Sequence, residues 1–235
     1  MNAAHLPASQ TRGCIVPKLA GFLIVAWIAA LSAPAQAAEY QFSIYGGYQT
    51  APSSRVSGRD DTGAPFSFNS TWKPAPFDFP PYYGVRATRW ADSGQWGVAL
   101  EFTHEMAIAT KRTLSKSGFT RLEFSHGLNI LTVNAMRRFP SDSRLTPYFG
   151  VGIGVTIPHV EVRTRAGGPG THSFQYGGPA ARLLAGVEYR LNERWAVFTE
   201  VNSTFSSVDV RLNGGGRLRS DINTNAINVG ISYRF

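Results

Sequence analysis

Apolar and polar residues alternate along most of the chain from residue 39 to its end. The pattern is clearest in the final segment, 227–235 (INVGISYRF), where every second residue from Ile227 to Phe235 is apolar or aromatic. A period of two residues is typical of β-strands that have one apolar face. Seven more segments follow the same rule: 39–48, 81–90, 96–104, 128–139, 145–157, 179–190 and 195–205.

The connections between these eight segments alternate in length. The short ones are 91–95, 140–144 and 191–194, and the long ones are about 49–80, 105–127, 158–178 and 206–221. Membrane barrels with an even number of strands have such tight turns at one end and long loops at the other. Backbone groups in hydrocarbon must all be paired, which requires a closed sheet. We therefore predict an all-β fold, an eight-stranded antiparallel transmembrane β-barrel with four long outer loops. An amphipathic sheet of a soluble sandwich is the alternative.

Residues 1–37 have the features of a signal peptide. Arg12 and Lys18 precede a 13-residue apolar segment at 19–31, and an A-x-A cleavage site follows at 35–37. The apolar segment is short for a membrane-spanning helix. We expect export and cleavage, with an N-terminal anchor helix as the alternative.

Cleavage leaves residues 38–235 as one barrel domain. It removes Cys14, the only cysteine, and so excludes disulfides, cysteine–zinc sites and cysteine nucleophiles. It also lowers the formal net charge from +8 to +6, because Arg12 and Lys18 are lost with the peptide. No apolar run in the remaining chain is long enough for a spanning helix, which excludes a helical membrane protein.

The interior of the predicted barrel is expected to be filled. An eight-stranded barrel is only wide enough to hold side chains. Its inward positions carry Arg86, Glu101, Asn134, Arg138, Glu188, Arg190, Glu200, Asn202 and Arg234. Buried charges are costly unless they are paired. We therefore expect an internal ion-pair network and no open pore.

Positive charge is concentrated in the long loops, which contain twelve basic residues. The outer leaflet of a Gram-negative outer membrane consists of lipopolysaccharide, and guanidinium groups bind phosphate bidentately. We interpret Arg55, Arg59, Arg121 and Arg163 as candidate phosphate- or lipid-binding residues. Simple tolerance of basic loops beside anionic lipid is the alternative. Nucleic acid is not an expected partner, because these loops face the outside of the cell.

Candidate site chemistry lies at the outer rim. All four histidines of residues 38–235 fall at outer strand ends or in outer loops: His104, His126, His159 and His172. If these loops converge, His104, His159 and Glu161 can bind a divalent metal ion through two imidazoles and a carboxylate. Glu123 or His126 can complete the site or act as a base. The sequence has no zinc-type spacing, so scattered rim residues are the alternative.

Two further details bear on this site. His159 continues the lipid-facing register of Ile157, so it can contribute only if Pro158 breaks that register. A hydrolytic dyad of His126 with Ser125, or of His104 with Ser115, has no orienting partner in the sequence, and neither a G-x-S-x-G motif nor a P-loop is present.

Several longer blocks span both strands and loops: YQTAPSSRVSG (48–58), PPYYGVRATRW (80–90), GVALEFTH (97–104), LEFSHGLNILTVNAMRRFP (122–140), TPYFGVGIGVTIPHVEV (146–162) and DINTNAINVGISYRF (221–235). In these blocks the chain resembles the outer-membrane lipid A oxidase family, within the group of small OmpA- and OmpX-like barrels. The loops take part in the resemblance, and loops carry function more often than strands do.

The resemblance implies an oxygen-dependent oxidoreductase that converts the proximal glucosamine of lipid A to 2-aminogluconate at the outer-membrane surface. The blocks with His104 and with His159 and Glu161 match well, whereas His126 stands where an acidic residue is expected. We predict a monomeric outer-membrane protein with lipid A as partner, dioxygen as oxidant, and His104, His159, Glu161 and Glu123 as catalytic candidates. The alternative is a non-catalytic OmpX-like surface protein for adhesion or membrane integrity.

Overall fold

The computed structural model describes residues 38–60 and 62–235. The predicted signal peptide, 1–37, therefore lies outside the described residues. The strands are β1 (Glu39–Thr50), β2 (Ser54–Arg59), β3 (Pro65–Ser70), β4 (Trp72–Lys73), β5 (Tyr83–Trp90), β6 (Trp96–His104), β7 (Ala107–Ala109), β8 (Phe119–Phe124), β9 (Ile130–Arg138), β10 (Leu145–Thr156), β11 (His159–Thr164), β12 (Thr171–Phe174), β13 (Gly178–Arg190), β14 (Trp195–Arg211) and β15 (Arg217–Arg234). One helix, α1 (Lys111–Ser117), lies between β7 and β8.

Eight strands form a closed antiparallel barrel, as the alternation predicts. They pair in the order β1, β5, β6, β9, β10, β13, β14 and β15, and pairing of β1 with β15 closes the ring. In that closing pair Ile44 lies opposite Ile231. Every neighbouring pair is antiparallel, so the three short connections all lie at one end and the long ones at the other.

The outward face of the barrel carries a belt of exposed apolar side chains. Val229 is 67% exposed and Ile153 is 75% exposed, and Phe42, Leu100 and Val133 belong to the same belt. Aromatic residues flank the belt at its ends, as they do at membrane interfaces. They include Trp96, Trp195, Tyr189, Tyr233 and Phe235 at the short-turn end. None of the described residues forms a helix long and apolar enough to cross a bilayer.

The barrel interior holds the expected ion-pair network. Arg86 bridges Glu101 and Glu200, with nitrogen–oxygen distances of 2.9 and 2.7 Å. Arg182 pairs with Glu101 at 2.9 Å and with Glu105 at 3.2 Å. The expectation was incomplete in that it omitted Arg182 and Glu105. It was wrong for Arg190, which lies exposed at the short-turn end and donates to the Ser143 carbonyl oxygen.

The long connections are largely ordered strands. β2 and β3 join the outer end of β15 and extend the barrel sheet on one side. On the other side β12, β11, β8, β7 and β4 form a second antiparallel sheet, called the outer sheet below. Apolar residues of both sheets share one core, with Val208, Val210 and Leu218 from the extended barrel strands and Leu122, Phe124 and Val160 from the outer sheet. Beyond the belt, each sheet therefore presents its other face, which is mostly polar, to the surroundings.

The two long strands β14 and β15 invert their apolar face along their length. In the belt the outward residues Val197, Val201 and Ile227 are exposed and apolar. Farther out on the same strands the buried inward residues are apolar, among them Val208 and Leu218. The reason is the surrounding medium: the outward face meets lipid in the belt and water beyond it, where the inward face covers a protein core.

Candidate metal centre

The chain leaves the barrel sheet at Pro158 and enters the outer sheet at His159. Ile157 is 39% exposed on the belt, whereas His159 is only 5% exposed. The backbone N–H of His159 donates to the carbonyl oxygen of Gly127, at 2.9 Å, and no longer to a barrel strand. Pro158 therefore breaks the lipid-facing register, and β11 places His159 and Glu161 on one face of the outer sheet.

A tight turn after β8 brings His126 to the same face. Gly127 has a φ of +103°, and a Cβ there would lie 2.3 Å from the side-chain oxygen of Asn129. The turn therefore requires glycine. His126 Nδ1 lies 2.7 Å from Glu161 Oε1, and the Ser125 hydroxyl donates to the same oxygen at 2.9 Å.

His126, His159 and Glu161 form a compact group, the histidine–glutamate cluster. One potential ligand atom from each lies within 4.8 Å of the other two. His159 Nδ1 lies 3.4 Å from Glu161 Oε1, yet this buried nitrogen has no hydrogen-bond partner among the described residues. His172 lies next to the cluster, with its Nδ1 at 3.6 Å from Glu161 Oε2 and its ring 4.5 Å from that of His159.

Burial and neighbouring charges set the protonation of the cluster. Removal from water lowers the pKa of His159, and the adjacent imidazoles of His172 and His126 lower it further. Burial alone would raise the pKa of Glu161, but hydrogen bonds from Ser125 and His126 and the charge of Arg121 hold this pKa below its usual value. A neutral imidazole and an ionised carboxylate are the protonation states that metal ions require.

The cluster fits a divalent transition-metal ion. Two imidazoles and one carboxylate form the ligand set of non-haem iron sites that leave positions open for dioxygen. Ligand atoms about 2.1 Å from an ion lie roughly 3.0 Å apart in the octahedral geometry of such iron sites and roughly 3.4 Å apart in a tetrahedral site. The three candidate ligand atoms lie within 4.8 Å of one another, and the exposed side chain of His126 has room to move inward. The nitrogen of His159 without a hydrogen-bond partner lies 3.4 Å from Glu161 Oε1, which leaves it available as a ligand.

The structure assembles only part of the predicted site. His104 lies at the end of β6, where its Nδ1 faces the Pro81 carbonyl oxygen at 3.1 Å and its ring stacks on Tyr83. It does not belong to the group of potential ligands, and His126 takes that place. Glu123 lies opposite Glu161 in the outer sheet and pairs with Arg121.

The hydrolytic dyads do not form as ordered catalytic pairs. Ser125 donates to Glu161 at 2.9 Å and is 3.4 Å from His126 Nδ1, which itself faces Glu161. Ser125 and His126 thus both interact with Glu161 Oε1, so His126 is not oriented to remove a proton from Ser125.

The four candidate phosphate-binding arginines divide between the two sheets. Arg121 and Arg163 are cross-strand partners in the outer sheet, and Arg121 Nη2 lies 2.6 Å from Glu161 Oε2. Arg55 and Arg59 lie on β2, in the extended barrel sheet. Only the first pair therefore borders the histidine–glutamate cluster.

Exposed aromatic residues border the cluster on its other side. The ring of Phe174 lies 4.6 Å from that of His159 and is opposite it in the strand pair β11–β12. Phe174 is 60% exposed and Tyr176 is 67% exposed. Phe174 thus places an exposed aromatic ring directly beside His159.

A family model agrees with this architecture. A family model described as "Outer membrane protein beta-barrel domain" matches residues 23–235. A search of curated proteins finds no match. Among solved structures, the chain is similar to Neisserial surface protein A, with 13% identity, 84% of this chain and 97% of that chain covered, and a TM-score of 0.48.

Two further solved structures are similar to the chain. For OprG from Pseudomonas aeruginosa the identity is 15%, the coverage 85% of this chain and 96% of that chain, and the TM-score 0.48. For Ail, the attachment invasion locus protein of Yersinia pestis, the identity is 13%, the coverage 84% of this chain and 99% of that chain, and the TM-score 0.44.

Proposed function

The chain belongs to the outer membrane protein β-barrel domain family, and on this premise we propose that it is a metal-dependent enzyme that oxidises the proximal glucosamine of lipid A to 2-aminogluconate with dioxygen. Its location is the outer membrane of a Gram-negative bacterium. The single observation that carries the proposal is the histidine–glutamate cluster, in which His126, His159 and Glu161 offer two imidazoles and a carboxylate at the outer end of the barrel.

The position of the cluster suits a lipid headgroup as substrate. His159 follows Ile157, a residue of the apolar belt, by only two positions. The cluster therefore lies where acyl chains give way to sugar. Phe174 offers an exposed aromatic face beside His159, against which a sugar ring or an acyl chain can pack.

Arg121 and Arg163 support binding of a phosphorylated sugar. They lie side by side across β8 and β11, and the side chain of Arg121 is 54% exposed. Arginine pairs recognise phosphate through bidentate, charge-assisted hydrogen bonds. A phosphate of lipid A held by these two residues would direct the sugar toward the cluster, because Arg121 also contacts Glu161.

The proposed reaction balances as a two-electron oxidation. The free anomeric carbon of the proximal glucosamine loses its C1–H bond and the proton of its hydroxyl group, and a C1=O bond forms to give a lactone. Dioxygen takes the two electrons and two protons and becomes hydrogen peroxide. Water then opens the lactone to 2-aminogluconate. A bound redox-active divalent ion would supply the route by which the electrons leave the sugar.

The residues of this chain bind and deprotonate the sugar. Arg163 holds phosphate together with those N–H groups of Arg121 that its pairs with Glu123 and Glu161 leave free. Glu123, which lies next to Glu161 across the strand pair and pairs with Arg121, would accept the proton of the anomeric hydroxyl as a general base.

The test is mass spectrometry of lipid A that lacks the 1-phosphate, incubated in air with the purified barrel and ferrous ion. We expect the proximal sugar to gain one oxygen atom, and we expect this product to be absent under anaerobic conditions. His159→Ala and Glu161→Gln should abolish the product, whereas His104→Gln should retain it because His104 lies outside the cluster.

Unchanged lipid A in air with the folded, iron-loaded protein would remove the enzymatic proposal. The chain would then be a non-catalytic OmpX-like surface protein. Full activity of His159→Ala would instead remove the cluster as the site while leaving the reaction in place.

A further inference from the structure

A second polar surface lies on the other sheet, away from the cluster. The outward positions of β2, β14 and β15 beyond the belt carry five exposed arginines, which we call the arginine face: Arg55, Arg59, Arg211, Arg217 and Arg219. The opposite side of these strands packs into the shared core through Val56, Val210 and Leu218. The arginines are thus fixed on a rigid sheet.

Strand register places three of the five arginines in one row. Arg217 on β15 is the direct partner of Arg211 on β14 and also of Arg59 on β2. Like charges directly opposite each other destabilise a sheet. Such a row is therefore unfavourable unless negative charge compensates it, which makes the row a candidate anion-binding surface.

The acidic residues on this face do not neutralise it. Asp209 is shared by two arginines, with Arg217 Nε at 2.5 Å from Oδ1 and Arg219 Nε at 3.0 Å from Oδ2. These contacts, first that of Arg217, hold the pKa of Asp209 below its usual value. Asp221, the other acid, accepts a hydrogen bond from Ser207.

Three arginines remain available for a ligand. Within residues 38–60 and 62–235, Arg55, Arg59 and Arg211 have no ion pair. Arg55 donates to the Ser67 hydroxyl and Arg59 to the Gly63 carbonyl oxygen, which leaves further N–H groups free on each guanidinium. A depression of about 420 Å³ lies between Arg59, Arg217 and Arg219, with Ser57 in its wall.

The distance of the arginine face from the apolar belt matches the position of a lipid headgroup layer. Phe205, 45% exposed, is the last large apolar residue on the outward face of β14, and its partner on β15 is Asn223. Arg219 lies four residues farther along β15, about 13 Å along the strand and roughly 10 Å above the belt for a strand tilted by ~40°. Outward residues between them are polar. The arginines therefore begin where acyl chains end and phosphorylated sugars begin.

We propose that the arginine face binds the phosphate groups of lipopolysaccharide molecules that surround the barrel in the outer leaflet. Guanidinium groups at cross-strand spacing can each take one phosphate oxygen pair, and the lipid beside the barrel presents its phosphates at the same level. This binding is separate from the proposed oxidation, because it uses another sheet and needs no metal ion.

The experiment measures the affinity of the refolded, detergent-solubilised barrel for deep-rough lipopolysaccharide in the same detergent. The test variant is Arg55→Gln, Arg59→Gln and Arg211→Gln, which leaves the two ion pairs of Asp209 intact. The matched control removes the same charge from α1 through Lys111→Gln, Arg112→Gln and Lys116→Gln. Circular dichroism and heat-modifiable gel mobility verify folding of each protein.

We expect the test variant to bind at least 10-fold more weakly and the control to stay within 2-fold of the wild type. Dephosphorylated lipopolysaccharide should bind the wild type at least as weakly as the test variant binds the intact lipid. An unchanged affinity of the folded test variant, or an equal loss in the control, would overturn the proposal. If the triple variant does not fold, Arg59→Gln with Arg211→Gln serves in its place with Lys111→Gln and Arg112→Gln.

Two further arms separate the outcomes. The first arm measures binding of a soluble sulfated polysaccharide. If that binding requires these arginines and lipopolysaccharide binding does not, the ligand of the face is a soluble polyanion and the lipid is rejected. Lipid A oxidation is measured in parallel. Loss of lipopolysaccharide binding with oxidation retained supports this proposal alone, and loss of oxidation with binding retained leaves it standing while the enzymatic proposal fails.

Discussion

The imidazoles of His126 and His159 make a prediction about metal affinity that is independent of turnover. Replacing either by alanine removes one of three ligand atoms that lie within 4.8 Å of one another. Loss of a residue that merely supports a ligand lowers metal affinity about 10- to 100-fold, so we expect a decrease of at least ~10-fold here. Titration of the refolded barrel with cobalt(II), followed by its absorption bands and by calorimetry, measures it.

His104→Gln is the control for this titration. Its ring is engaged with Tyr83 and the Pro81 carbonyl oxygen, so the variant should bind cobalt(II) like the wild type. Equal weakening in His104→Gln and His159→Ala would show that the ion binds elsewhere at the rim.

Residue types and spacing predicted two of the three members of this cluster as metal ligands, His159 and Glu161, and offered the third, His126, only as a residue that can complete the site or act as a base. His159 and Glu161 are two positions apart in a strand-like segment, which puts them on one face wherever that strand lies. His104 was selected as the second imidazole because it ends a barrel strand. In the cluster the second imidazole is that of His126, which comes close to Glu161 through the turn at Gly127 and through pairing of β8 with β11. That pairing joins residues distant in sequence, and no local pattern reveals it.

Arg182 is the residue on which the interior network is expected to depend most. Its side chain is 1% exposed and pairs with both Glu101 and Glu105. Arg182→Met leaves Glu105 buried without a cation, and breaking a buried pair in this way costs about 3–5 kcal/mol of unfolding free energy. Urea unfolding of the refolded barrel in lipid vesicles measures the loss.

Arg190→Met provides the comparison, since Arg190 lies exposed at the short-turn end. A surface change of this kind should alter the unfolding free energy by no more than ~0.5 kcal/mol. Equal unfolding midpoints for Arg182→Met and Arg190→Met would contradict a supporting role for the network.

At the level of the strands, aromatic side chains inside the barrel lie over glycines of the neighbouring strand. Tyr45 on β1 is the cross-strand partner of Gly84 on β5, and a Cβ on Gly84 would lie 2.1 Å from the Tyr45 ring. Gly84→Ala must therefore displace Tyr45, whose hydroxyl donates to Glu101 at 2.5 Å. We expect a loss of about 1–3 kcal/mol in unfolding free energy, the usual cost of overpacking.

Gly46→Ala is a matched strand substitution on β1. The nearest atom to a Cβ at Gly46 is 3.5 Å away, an ordinary contact. The variant should unfold like the wild type or slightly later, because alanine restricts the unfolded chain. A Gly84→Ala protein as stable as Gly46→Ala would show that Tyr45 relaxes at little cost.

The strands of the belt were predictable, and those beyond it were not. The segment 96–104 coincides with β6, because lipid outside and polar groups inside impose one continuous alternation. β14 was predicted to end at residue 205 but continues to Arg211. Its alternation does not stop there; it changes phase as the outward face passes from lipid to water. A single-phase pattern search therefore treats ordered strands as loops.

The whole molecule combines a closed barrel with a capping two-sheet core, and this makes a prediction about conduction. The ion pairs of Arg86 and Arg182 cross the interior and engage Glu101, Glu200 and Glu105. Beyond them the shared core of the two sheets contains Phe124, Leu128 and Ile130, each fully buried. A steady aqueous path would require both layers to open, so we expect no ohmic single-channel conductance in planar bilayers.

The absence of conductance supports a closed barrel only if the protein has inserted into the bilayer, so insertion must be verified. Protein reconstituted into liposomes of the same lipid should show heat-modifiable gel mobility, and its 38–235 domain should resist added protease. Because the ion pairs lie among buried partners, raising the salt concentration should not open the barrel, since buried pairs are screened far less than exposed ones. A stable conductance that scales linearly with voltage in correctly inserted protein would mean that the interior charges line a water-filled channel. The outer face would then work as the mouth of a pore, and the enzymatic interpretation of the cluster would lose its closed scaffold.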